Sequence, residues 1–125
     1  VQFAESMSVA LPDLTEAVHR DALMQLYATH SRAMTFACLE TMWNELGRHL
    51  QKEKRPQIFA DEHSRALEDL ADQTLTALDT ADPHELAHAA FGVARCAWAP
   101  RNVPVVEAIS QRARQRLREL SATSL

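Results

Sequence analysis

The chain has 125 residues, a formal net charge of −4, two cysteines and two glycines. That length accommodates one shared core and excludes a two-domain protein. An acidic balance argues against a freestanding nucleic-acid binder, and no apolar run reaches the ~20 residues a membrane-spanning helix needs. Leu, Ala, Glu, Gln and Arg dominate, no Val/Ile/Thr-rich alternating run occurs, and the chain reads as all-α. Residues 1–12 read as an N-terminal extension and residues 13–125 as a single helical domain.

About five amphipathic helices are predicted. The first spans about Asp13–Thr29, with Leu14, Val18, Ala22 and Leu26 in one i,i+4 row, widened by Leu23, Tyr27 and Met34. The second starts near Thr35 and keeps Phe36, Leu39, Trp43, Leu46 and Leu50 at 3-4-3-4 spacing until Lys52-Glu53-Lys54-Arg55-Pro56, a solvated linker. The third covers about Ile58–Leu78, with Phe59, Leu67, Leu70 and Ala71 opposite an acidic face, and His63 expected on the apolar side as a hydrogen-bonded core residue. The fourth has the firmest start signal, Asp82 as N-cap, Pro83 at N1 and Glu85 at N3, and is expected to run to about Trp98 and stop at Pro100. Its alanines predict close helix–helix approach. The fifth follows Asn102, with Pro104 in its first turn and Val106, Ile109, Ala113, Leu117 and Leu120 inward.

An offset of 47 residues superposes Leu39 on Leu86, Leu46 on Val93, Phe59 on Val106 and Leu70 on Leu117. Helices two and three (about 35–78) then form one antiparallel pair, and four and five (about 83–120) a second. Two helices per ~40–47 residues is the range of α-solenoid repeats, with helix one as a cap or half unit. Trp43 and Trp98 fall near the inner rows and are expected in the core. Cys38 and Cys96, without C-x-x-C spacing, are expected as small reduced residues.

Charge is unevenly spread. Residues 61–85 carry one Lys/Arg against eight Asp/Glu, whereas residues 86–125 carry six against two. The basic end holds Arg112, Arg114, Arg116 and Arg118, with Arg112 and Arg116 flanking one side of the last helix's apolar row and Arg114 and Arg118 the other. Together with Arg101 in the preceding loop they are the candidate phosphate- or RNA-binding residues. A solvated last turn that complements the helix dipole is the plainer account. No aromatic residue accompanies them, so no base-stacking platform is expected there.

His84-Glu85-Leu86-Ala87-His88 spells H-E-x-x-H, which sets two imidazoles on one helical face with a glutamate beside a metal-bound water. With Glu107 beyond, the stretch resembles the zinc helix of gluzincin aminopeptidases. The resemblance covers about a fifth of the chain and implies His84, His88 and Glu107 as zinc ligands and Glu85 as general base. Four features oppose it. No strand is legible to hold a substrate; the histidines share a polar edge with Arg95; His84 sits in a first turn whose dipole disfavours a cation; and Glu107 shares a face with Arg114 and Arg118. No enzyme activity, catalytic residue, metal or cofactor is therefore expected, and a small zinc metallohydrolase is the second alternative.

A second resemblance falls on the same helices. The run Asp82-Pro83-His84-Glu85-Leu86-Ala87 through Arg95, followed by Val105-Val106-Glu107-Ala108-Ile109, resembles one unit of the heptatricopeptide-type repeat of organellar RAP-domain and FAST-kinase-like proteins. Phe59 to Leu78 resembles the second helix of the preceding unit, so about half the chain is covered. The resemblance implies a helical-repeat scaffold without catalysis in a mitochondrion or plastid. There it would be an accessory subunit of a ribonucleoprotein that contacts other protein subunits and, through the last helix, RNA. A purely structural, protein-binding subunit of an organellar membrane complex is the first alternative.

Overall fold

The computed structural model describes residues 20–96, 98 and 101–124, and every regular element among them is helical. The order is α1 (Arg20–His30), a 3₁₀ turn (Ser31–Ala33), α2 (Phe36–Gln51), α3 (Pro56–Glu62), α4 (Ser64–Thr76), a second 3₁₀ turn (Leu78–Thr80), α5 (Pro83–Arg95) and α6 (Asn102–Ser124). The extension 1–12, the first seven residues of the expected first helix with Leu14 and Val18, and Pro100 lie outside the described residues.

Helix α2 forms where its apolar spacing predicts. Thr35 caps it, accepting the Cys38 N–H on Oγ1 at 3.4 Å, and Phe36, Leu39, Trp43, Leu46 and Leu50 are all buried. The capping box of α5 is complete: Asp82 accepts the Glu85 N–H (2.8 Å) and Glu85 accepts the Asp82 N–H (3.0 Å). Helix α5 stops at Arg95, short of Trp98, because Cys96 turns extended. The open carbonyls of that end are closed by buried Asn102, whose Nδ2 donates to Val93 O and Cys96 O at 3.3 and 3.4 Å.

The expected third helix is two helices, which raises the count to six among the described residues. His63 leaves helical geometry (φ −112°, ψ 22°), while its N–H still donates to Phe59 O and its carbonyl still accepts from Leu67 N. Its ring lies 4.5 Å from that of Phe59 and its Nε2 stands 3.8 Å from an Asp21 carboxylate oxygen of α1. His63 is thus half-buried at a bend rather than enclosed, and both segments turn their apolar faces, Phe59 and Leu67, into one core. The second segment ends at Thr76, and Leu78 belongs to the following 3₁₀ turn.

Trp43 is fully buried at the centre. Its Nε1 donates to Thr74 Oγ1 of α4 (3.0 Å), Thr74 donates on to Leu70 O (2.7 Å), and Trp98 stacks on it with ring centroids 6.3 Å apart. Tyr27 of α1, also buried, donates to Asp69 and to Gln73 Oε1 of α4; burial, then Asp69, pushes its phenol well above the ordinary range. Cys38 and Cys96 are free thiols, and burial pushes that of Cys96 up to about 12.

The most extensive packing is of α2 on α5, followed by that of α5 on α6. Helices α2 and α5 run parallel, since contacts climb together along both. Glu40 meets His88, Asn44 Nδ2 donates to His88 O (2.9 Å), and Gln51 accepts from Arg95 Nη2 (2.7 Å). Gly47 and Gly92, the only glycines of the chain, both lie at this seam. A Cβ on Gly47 would stand 2.9 Å from Arg95 Cβ, and one on Gly92 would stand 2.8 Å from the Asn44 backbone nitrogen. Close approach was legible in the alanines of α5; glycine makes it closer. By contrast α6 runs antiparallel to α5: Asn102 lies at the far end of α5, and Arg112 and Arg116 lie beside Asp79, just ahead of its start.

Candidate functional site

The arginines of α6 divide as the sequence places them, one pair on each side of the apolar row. On the first side, Arg112 Nη2 pairs with Asp79 Oδ1 at 3.2 Å and Nη1 with Glu119 Oε1 at 3.7 Å. Arg116 Nη1 donates to the Asp79 carbonyl at 3.4 Å. The 3₁₀ turn Leu78–Thr80 is thereby clamped against the middle of α6. Arg101 is also engaged, at 2.8 Å from Glu68 of α4, with both side chains more than half exposed. Three of the five candidate phosphate-binding arginines are thus turned toward the protein's own acceptors.

Arg114 and Arg118 on the other side are exposed and have no hydrogen bond or ion pair among the described residues. Neither has a carboxylate three or four positions away in the helix; their neighbours at those spacings are Ser110, Gln111, Gln115, Leu117, Ser121, Ala122 and each other. Two like charges at i,i+4 repel by roughly 0.2–0.5 kcal/mol. Between the two sides lies a correction to the expected core. Leu117 is 56% and Leu120 51% exposed, although their periodicity is that of Ile109, which is fully buried. Both leucines lie beyond the contacts of Asp79 with Arg112 and Arg116.

On α5 the signature histidines stand together, ring centroids 4.2 Å apart and tilted by 45°. The residue beside them is Glu40 of α2, whose Oε1 lies 3.5 Å from His88 Nδ1; Glu107 is not the neighbour. Burial holds the Glu40 carboxyl above its usual range, with His88 pulling it down and Glu85 pushing it up. Glu85, the general base of the zinc reading, has its carboxylate occupied in the capping box. Among the described residues no three His, Cys, Asp or Glu side chains are grouped as metal ligands, so His84, His88 and Glu107 are not brought together. The same face of α5 continues to Phe91, 60% exposed, with the Arg95 guanidinium 5.0 Å from its ring centroid.

Sequence reasoning missed Glu40, because parallel stacking of α2 on α5 is what brings it to His88. It also missed the exposure of Phe91, Leu117 and Leu120, since periodicity shows which face is apolar and not where the covering helix ends. No protein-family model, curated protein or solved structure matches the chain.

Proposed function

We propose that this chain is a non-catalytic, solenoid-like helical module that works by binding through its surface, as an accessory subunit of a larger assembly. The observation that carries the reading is the parallel seam between α2 and α5. Its contacts pair residues 44 to 48 positions apart, as in Glu40 with His88, Gly47 with Arg95 and Asn44 with Gly92, around the internal offset of 47. Like helices of successive units stack in this way in repeat proteins. Exposed Leu117 on α6, with Arg114 and Arg118 exposed beside it, supports surface recognition rather than chemistry in a cleft. The resemblance to heptatricopeptide-type units makes an organellar ribonucleoprotein the first assembly to search.

The test is native purification of the tagged full-length chain followed by cross-linking. A stoichiometric partner cross-linked to the helical surface is the expected result. A chain that stays alone, and hydrolyses peptide bonds with zinc in a manner lost on His88→Ala, would refute the proposal. A second reading, direct RNA contact, is favoured by one observation: Arg114 and Arg118 are open for phosphate. It predicts salt-dependent RNA binding that weakens on Arg114→Gln and Arg118→Gln.

A further inference from the structure

Helices α2 and α5 begin 47 residues apart, at Phe36 and Pro83, so each position on one has a counterpart on the other. The face of α2 that receives α5 is formed by Glu40, Asn44 and Gly47, none of them exposed. Their counterparts on α5 are Ala87, Phe91 and Ala94, which keep the same i, i+4, i+7 spacing along one helical face. All three are exposed, Phe91 to 60%. Where α2 is covered by a following helix, the equivalent face of α5 is open.

The replacements change the chemistry of that face in one direction. Alanine stands in place of Glu40, phenylalanine in place of Asn44 and alanine in place of Gly47. Alanine carries a methyl that glycine lacks, so a helix laid on α5 stands slightly further off than α5 stands from α2. The Phe91 ring, larger than the Asn44 side chain, fills the added space. A second copy of the chain does not supply the complement. At the existing seam α5 turns His88, Gly92 and Arg95 toward α2, and Gly92 is the small residue that lets the helices meet. The counterparts on α2 are Thr41, Glu45 and Arg48, all half-buried, with Glu45 and Arg48 paired at 2.7 Å. A glutamate there stands where a small residue is needed.

We propose that Ala87, Phe91 and Ala94 form a docking surface on which the leading helix of a helix pair from another protein lies parallel to α5. That helix offers a glycine or alanine to the Phe91 ring. It carries apolar residues four positions before and three positions after, in register with Ala87 and Ala94. Apolar burial rather than ion pairing supplies the attraction. The inference rests on the binding-module reading and adds the face, the direction and the chemistry of the contact.

The experiment lengthens the full 125-residue chain by one helix pair: residues 79–125 are repeated after Leu125, which keeps the 47-residue offset. The added copies of His88, Gly92 and Arg95 then come to Ala87, Phe91 and Ala94 of the parent part. Leucine replaces the added copy of His88, so that an apolar residue meets Ala87. Thermal unfolding followed by circular dichroism is expected to show one cooperative transition, several degrees above that of the parent chain. Phe91→Glu in the parent part should lower the melting temperature of the lengthened chain by about 5 °C or more, through lost burial of the ring. In the 125-residue parent the same change should stay within about 2 °C, because the position is exposed and the new carboxylate lies four residues before Arg95. A merely structural role of Phe91 would move both chains alike.

Added residues that gain no helix, two separate transitions, or equal shifts in both chains would overturn the proposal. So would self-association of the parent that Phe91→Glu abolishes, which assigns the face to a second copy. Uridine-oligomer binding abolished by the same change would overturn it too, by assigning the face to RNA. In the native assembly, a photo-reactive benzoylphenylalanine in place of Ala94 is expected to cross-link to a helix of the partner. A native partner cross-linked elsewhere than α5 would sink this inference while leaving the module reading in place; the lack of any partner would sink the module reading itself.

Discussion

Gly92→Ala tests the seam on which the functional reading depends. At an ordinary helix position this change is stabilising by about 1 kcal/mol, because alanine has the higher helix propensity. Here the new methyl would stand 2.8 Å from the Asn44 nitrogen and 3.0 Å from Asn44 Cγ and Nδ2. Carbon needs about 3.5 Å or more for favourable contact. The nearest atom belongs to the α2 backbone, so relief requires displacement of the helix and not a change of rotamer. Overpacking of this kind costs about 1–3 kcal/mol. The shift also strains the Asn44-to-His88 carbonyl bond, a contribution of about 1 kcal/mol. These costs outweigh the propensity gain, and a net loss of about 1–3 kcal/mol is expected. In a domain of this size it would lower the melting temperature by several degrees, roughly 2–8 °C per kcal/mol. Urea and thermal unfolding followed by circular dichroism measure it. Ala94→Gly, exposed on the same helix, is the control and should lose about 1 kcal/mol from propensity alone. If Gly92→Ala is as stable as the parent or more so, the close approach of α2 and α5 does not exist, and the proposed solenoid-like reading falls with it.

Two further outcomes follow from buried polar groups. Thr74→Val should cost about 1–3 kcal/mol in urea denaturation, because Trp43 Nε1 would be left without its acceptor. Thr74→Ser, which keeps the hydroxyl, should recover most of the loss, and equal losses for Val and Ser would refute the role given to that bond. Glu40 has a folded-state pKa above its unfolded value, mainly through burial, so its ionisation opposes folding as pH rises from the ordinary glutamate range through the raised value. Glu40→Gln should therefore raise the melting temperature at neutral pH, and its advantage should shrink toward zero below the ordinary glutamate range. A variant less stable at neutral pH would show that the His88 contact outweighs the burial.

The helices with self-contained signals were legible in the sequence. The apolar spacing from Phe36 to Leu50 and the Asp82–Glu85 capping box are local, and both take the conformation their residues dictate. The bend at His63 was not legible, for that position has neither glycine nor proline and the apolar period runs through it unchanged. The bend accompanies one distant contact, with Asp21 of α1, beside the local one with the Phe59 ring. The arginine strip was half legible: helical spacing sorts Arg112 and Arg116 from Arg114 and Arg118, but only the position of Asp79 decides which pair is consumed. Leu117 shows the same limit from the apolar side. For the H-E-x-x-H run, the spacing places the imidazoles together, and the carboxylate beside His88 comes from Glu40, forty-eight residues earlier.

The backbone-to-backbone contact at Gly47 and Gly92 also bears on motion. Side chains at an interface can change rotamer and let two helices slide, whereas a junction without them has no such adjustment. The close approach at these two glycines therefore resists sliding of α2 along α5. Any change of shape that accompanies an encounter is left to joints elsewhere, such as the bend at His63.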